Sequence, residues 1–123
     1  GKGQEALRTL LQSFEMDLPR AEICCRIGLW FQESQRWKEA AFWYKIALGT
    51  EKKEENGGFI QEDCYDFLPA VNLCLCYDKM GDYLNAYKYH KIAAEIKPQA
   101  KEVLWNEDYF YNMKKEHPNS FIE

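Results

Sequence analysis

The chain has no surplus of positive charge. Its 123 residues carry 16 Lys and Arg against 20 Asp and Glu, for a net charge of −4 and a pI near 5.3. With no basic field to neutralise phosphates, a main role in binding nucleic acid is not expected, and docking on an anionic membrane surface is disfavoured for the same reason. Long apolar runs are missing too. Every apolar stretch is short and broken by charge, so no transmembrane helix is expected, and the first residues lack the apolar centre of a secretory signal. Cysteine is present but not in a ligand pattern. The five cysteines, an odd number, stand as Cys24-Cys25, Cys64 and Cys74-x-Cys76 inside apolar segments. They read as small buried residues in a reducing compartment rather than as a disulfide framework, and the expected location is cytoplasmic.

A convergent catalytic set is also absent. Cysteines one or two residues apart on a helix project to different faces, and neither His90 nor His117 completes a ligand pair, so no metal or other cofactor is expected. His90 has no evident nucleophile or carboxylate partner in the pattern, and packing at a helix contact is the simpler role for it. Glu62, Asp63 and Asp66 form a small acidic cluster. A paired-carboxylate reading exists for it, but acidic residues are favoured where a helix begins, and one begins there.

What the chain does have is an internal duplication rich in rings, aromatics making up 15% of the residues. Laying one segment over the other pairs Ile27 with Leu73, Phe31 with Tyr77, Trp37 with Tyr83, Ala40 with Ala86, Trp43 with Tyr89 and Ile46 with Ile92, all at one offset of 46 (86 − 40). Each copy has an apolar residue, a small one and then an aromatic (Ile27-Gly28-x-x-Phe31; Leu73-Cys74-x-x-Tyr77). A breaker and an alanine-centred stripe follow. Helical spacing of the apolar residues in both halves of each copy, with a turn between, predicts two antiparallel helices per copy. Ser34-Gln35-Arg36 and Met80-Gly81-Asp82 make the two turns.

This pattern resembles the tetratricopeptide repeat, whose units bury their apolar faces by stacking on neighbours. The expected fold is all-α, a tetratricopeptide-like α-solenoid of stacked antiparallel helix pairs, in a single domain over 1–123. Within it, 1–17 reads as a partial preceding helix with a stripe over Gly3–Phe14 that stops before Asp17-Leu18-Pro19. Residues 20–49 form the first repeat, 50–61 a polar inserted loop, and 62–97 the second repeat, with Pro69 in the first turn of its helix. Residues 98–116 form a capping helix or partial repeat, read over Lys101–Tyr111 with Val103, Leu104, Tyr109 and Phe110 available to cover the stack. His117-Pro118-Asn119 is expected to be frayed. Phe31, Tyr77, Trp37 and Tyr83 fall on the shared apolar positions and read as core. Trp30, Trp43, Tyr87 and Tyr89 fall off the apolar stripes, leaving core and a ring-stacking surface both open.

A narrower resemblance rests on Gly58-Phe59-Ile60-Gln61-Glu62-Asp63-Cys64-Tyr65-Asp66-Phe67-Leu68-Pro69, on Pro19-Arg20-Ala21-Glu22-Ile23-Cys24-Cys25-x-Ile27-Gly28, and on Lys97-Pro98 with Tyr109-Phe110. These segments are similar to the C-terminal repeat region of bacterial family 2 glycosyltransferases, over most of 10–110. In that family the catalytic domain carries an Asp-x-Asp metal motif, which does not occur here. The resemblance therefore implies a non-catalytic, protein-binding or scaffolding piece of a transferase, acting by holding acceptor protein or by self-association. A free-standing adaptor for a peptide or protein is the alternative, and an enzyme in its own right is the least supported.

In a stack of helix pairs the first helix of each pair lines the concave side. The residues there that escape the shared apolar positions are Glu22, Cys25, Leu29, Gln32 and Glu33 in the first copy and Leu68, Val71, Leu75, Asp78 and Lys79 in the second. They form an apolar centre with charged ends, the expected protein-binding face. The rival expectation has Leu29, Val71 and Leu75 covered by the N-terminal helix or by a second copy of the chain. Cys25, Leu29, Val71 and Leu75 supply none of the Lys and Asn groups with which some tetratricopeptide domains clamp a terminal carboxylate, so such capture is not expected.

Overall fold

The computed structural model describes residues 2–16, 20–50 and 62–122. Within them lie six α-helices and no strand: α1 (Lys2–Met16), α2 (Ala21–Glu33), α3 (Trp37–Gly49), α4 (Phe67–Lys79), α5 (Tyr83–Ile96) and α6 (Lys101–Glu116). Short 3-10 turns cover Glu62–Tyr65 and Pro118–Phe121. Helices α2 and α3 pack as one pair and α4 and α5 as another, with α3 lying against α4 so that the pairs stack. The fold is all-α and built from repeated helix pairs. Asp17-Leu18-Pro19 and the inserted loop up to residue 61 lie outside the described residues.

The two copies turn by the same hydrogen bonds. Arg36 N–H donates to the Phe31 carbonyl at 2.9 Å and Gln35 N–H to that of Gln32 at 3.0 Å, while Asp82 and Gly81 do the same to Tyr77 and Asp78. This is a Schellman closure, which puts the residue just past the helix in the left-handed region. Gly81 takes it at φ 79° without cost, whereas Gln35 takes it at φ 60° with a side chain. Helix starts are less uniform. Asp66 caps α4 by accepting from Phe67 N–H, and Asp82 caps α5 by accepting from Asn85 N–H, but Arg20, Arg36 and Ala100 provide no side-chain cap. Pro69 sits in the first turn of α4, where its missing donor is harmless.

Small residues set how closely the helices approach. Ala40 and Ala86 are both fully buried. A Cβ on Gly28 would come within 3.0 Å of the Tyr44 ring, so the glycine is the hollow into which that ring fits. Phe31, Trp37 and Tyr77 pack around the cluster made by Ala40, Tyr44 and Leu73. Among the rings that fell off the shared positions, Trp43 packs on the cluster of Ala21, Cys24 and Ala47. Tyr89 stacks on Tyr77 with centroids 5.6 Å apart, and Tyr87 meets Phe110 and Phe121 edge-on. Trp30 sits edge-on to Phe31 and beneath Gly3 of α1.

Tyr83, expected in the core, is half-buried and stacks on His117 at 6.1 Å, and the C-terminal end needs correction as well. The residues after α6 do not fray: Pro118–Phe121 forms a 3-10 turn against α5 and α6, because Phe121 has the rings of Tyr87 and Phe110 to pack on. Helix α6 ends at Glu116 and covers the stack through Val103 and Phe110, but Leu104, expected to help, faces solvent at 50% exposure. Helical spacing explains the split: Val103 and Phe110 are seven residues apart on one face, and Leu104 lies about 100° round from Val103.

Candidate functional site

Helices α4 and α6 lie side by side with an open groove of about 520 Å³ between them. Val71, Leu75, Asp78 and Lys79 line it from α4, facing Trp105, Asn106 and Tyr109 of α6. Lys101 and Glu102 close one end. The floor is held together by side chains rather than by close backbone packing. The Tyr109 hydroxyl donates to the Asp78 carboxylate, and Asn106 Nδ2 lies 4.0 Å from Cys74 Sγ. Burial pushes the Tyr109 phenol well above its ordinary value, and the neighbouring Asp78 carboxylate adds to the shift. Cys74 is pushed up to about 12, first by burial and then by the charge of Asp78, so its thiol stays protonated and weakly nucleophilic.

Trp105 is the most informative member. It is 67% exposed, and its ring lies parallel to that of Tyr109 at 5.5 Å, an i,i+4 stack in the wall of the groove. In the sequence it is one of four tryptophans open to a ring-stacking surface, but nothing there assigns it to the concave face, because α6 reads as a cap by its apolar content. A shift of 34 residues sets it beside the α4 wall: Val71 maps onto Trp105 (105 − 71) and Leu75 onto Tyr109 (109 − 75).

The expected concave face thus divides. In the second copy, Val71, Leu75, Asp78 and Lys79 come together in the groove, and Leu68 lies 39% exposed on the same helix. In the first copy, three side chains are used inside the molecule. Cys25 Sγ donates to the Cys64 carbonyl at 3.5 Å, Gln32 accepts from the Tyr44 hydroxyl at 3.0 Å, and Glu22 accepts from the Tyr65 hydroxyl at 3.3 Å. Glu33 is exposed, and Leu29 is 46% exposed. That turn is pinned to the second pair as well, by an ion pair of 2.9 Å between Asp63 and Lys97.

The remaining chemical candidates are structural. His90 is 1% exposed, with Nε2 at 3.2 Å from Glu107 Oε1 and its ring stacked on Phe110, so it fastens α6 to α5. The cysteines are free thiols without a bridge, and burial raises Cys24 to about 11 and Cys76 to about 12. No group of three His, Cys, Asp or Glu side chains able to hold a metal ion is found among the described residues. No described helix is long and apolar enough to cross a membrane. Among protein-family models none matches the chain, and no curated protein is similar to it at a significant level.

Proposed function

We propose that the chain is a non-catalytic, tetratricopeptide-like module that holds a protein segment in the groove between α4 and α6. The observation that carries this reading is Trp105, an aromatic two-thirds exposed on an apolar groove whose ends carry charges of both signs. An indole beside aliphatic side chains, rimmed by polar groups, is the pattern of an interface anchor. Few polar groups converge inside the groove, which favours an extended or helical peptide over a small polar metabolite. The net negative charge argues for protein over nucleic acid. Five free thiols, four of them buried, suit a reducing, cytoplasmic setting. The similarity of Gly58–Pro69 and Pro19–Gly28 to the repeats of bacterial family 2 glycosyltransferases supports placing the module beside such a catalytic domain, where it would present acceptor protein. A free-standing adaptor fits the same groove. A strand-helix alternation with Asp-x-Asp encoded before Gly1 would favour the transferase, and further helix pairs the adaptor.

The test is a random peptide library displayed on phage and panned against the purified chain. Enriched peptides are expected to share an apolar core, and to lose affinity by about ten-fold or more for Trp105→Ala and Leu75→Glu, the loss typical of interface anchors. Both variants should keep the parent's helical circular dichroism. Failure to enrich any sequence, or equal binding by both variants, would overturn the groove assignment.

A further inference from the structure

Helix α6 repeats α4 at a shift of 34 residues. Pro69 and Cys76 map onto Val103 and Phe110 (103 − 69; 110 − 76), and all four are buried against the body of the stack. Ala70, Cys74 and Tyr77 map onto Leu104, Asp108 and Tyr111 by the same shift. In α4 those three face neighbouring helices: Ala70 clusters with Ala93 of α5, Cys74 with Ala86 of α5 and Phe110 of α6, and Tyr77 stacks on Tyr89 of α5. In α6 the same places are open. Leu104 is 50% and Tyr111 62% exposed, and Asp108 is exposed between them. Among the described residues the backbone of α6 packs on α5 and on the short Pro118–Phe121 turn, and α4 reaches it through side chains such as Asp78 and Cys74. Helix α6 is thus a first helix that displays the face its counterpart α4 buries.

The matching surface is on the same molecule, at the other end. Where α4 lies beside α6, Cys74 Sγ and Asn106 Nδ2 are 4.0 Å apart. Carried on by one unit, Cys74 becomes Asp108 (74 + 34). Asn106 becomes Asn72 on α4 (106 − 34) and Arg26 on α2 (72 − 46). Stacking the α6 of one molecule on the α2 of another, as α4 stacks on α6, therefore sets a carboxylate against a guanidinium. Both side chains are exposed. By the same mapping Tyr109 corresponds to Leu29 (75 − 46), which is 46% exposed. Helix α1, packed on α2, supplies a second helix against which Leu104 and Tyr111 would lie.

We propose that copies of this chain associate head to tail, α6 of one molecule stacking beside α1 and α2 of the next, with Asp108 paired to Arg26 of the partner subunit. The contact joins two different faces and leaves a free end on each side, so it is heterologous and does not close at a dimer. It uses the outer face of α6 and stands apart from the reading of the α4–α6 groove. A charge pair at such a contact fixes register and direction as much as affinity.

Sedimentation equilibrium of the purified chain from micromolar to millimolar concentration tests it. The weight-average mass should rise with concentration and pass the dimer value without a plateau. Asp108→Arg and Arg26→Asp, both at exposed positions, should each weaken association by about five-fold or more through like-charge contact, with unchanged helical circular dichroism. The double variant Asp108→Arg with Arg26→Asp restores opposite charges and should recover most of the loss. Leu75→Glu, inside the groove, should associate as the parent does. A parent that stays monomeric, a mass that levels at the dimer, or a double variant no better than the singles would overturn the proposal.

Discussion

At the scale of single residues, burial governs the ionisable side chains more than charge pairing does. Cys24 rises from 9.0 to about 11, and Cys74 and Cys76 to about 12, in each case chiefly because a thiolate would lose its water. Tyr44 and Tyr109 rise from 10.0 by the same cause. A group whose folded value is raised stabilises the fold fully below its unfolded value and loses that contribution as pH climbs to the folded one. For Cys24 that window is pH 9 to 11, and for Cys74 and Cys76 it extends to about 12. The urea midpoint is therefore expected to fall steadily above pH 9, in a reducing buffer, with no matching loss between pH 7 and 9. A flat midpoint through pH 11 would mean that the thiols ionise in the folded protein without penalty.

At the scale of the elements, the two inter-helix turns are the most direct comparison the molecule offers. They share every backbone hydrogen bond of the closure, yet one carries Gly81 and the other Gln35 in the left-handed region. A side chain there costs about 1 kcal/mol, by the steric clash that keeps L-residues out of it. Gln35→Gly should accordingly stabilise the chain by about 1 kcal/mol, and Gly81→Gln should destabilise it by a similar amount. Thermal or urea denaturation of the two variants reads both signs at once. The turns were legible in the sequence as breakers between helical stripes. That Gln35 would pay the strain was not, since glutamine gives no turn signal of its own.

At the scale of the whole molecule, stability is shared between neighbours along the stack rather than pooled in one core. Helices α3, α4 and α5 pack on both sides, whereas α1 packs chiefly on α2, with Leu11 41% exposed. Native-state hydrogen exchange is expected to show the strongest amide protection in α3, α4 and α5 and the weakest in α1, as local opening follows the density of buried contacts. Protection in α1 equal to that in α4 would contradict a stack whose end helix is held from one side. The same logic makes Phe121 worth more than its position implies, because it packs on Tyr87 and Phe110 and so ties α5 to α6.

The sequence by itself determined the helix pairs, because their signals are local: apolar spacing, breakers, and small residues such as Ala40 and Ala86 recurring at one offset. It also marked Val71 and Leu75, which share a face of one helix with the motif residues between them. Tertiary structure alone decided which of those faces stayed open. Cys25, Glu22 and Gln32 have the right spacing for a concave surface, but Cys64, Tyr65 and Tyr44 reach them from segments 12 to 43 residues away and use their polar atoms. Trp105 and Tyr109 became a wall of the groove only because Val103 and Phe110 turned the other side of α6 into the core. Periodicity within a helix says which residues share a face. What that face meets is set by helices distant in the chain, and no local pattern records it.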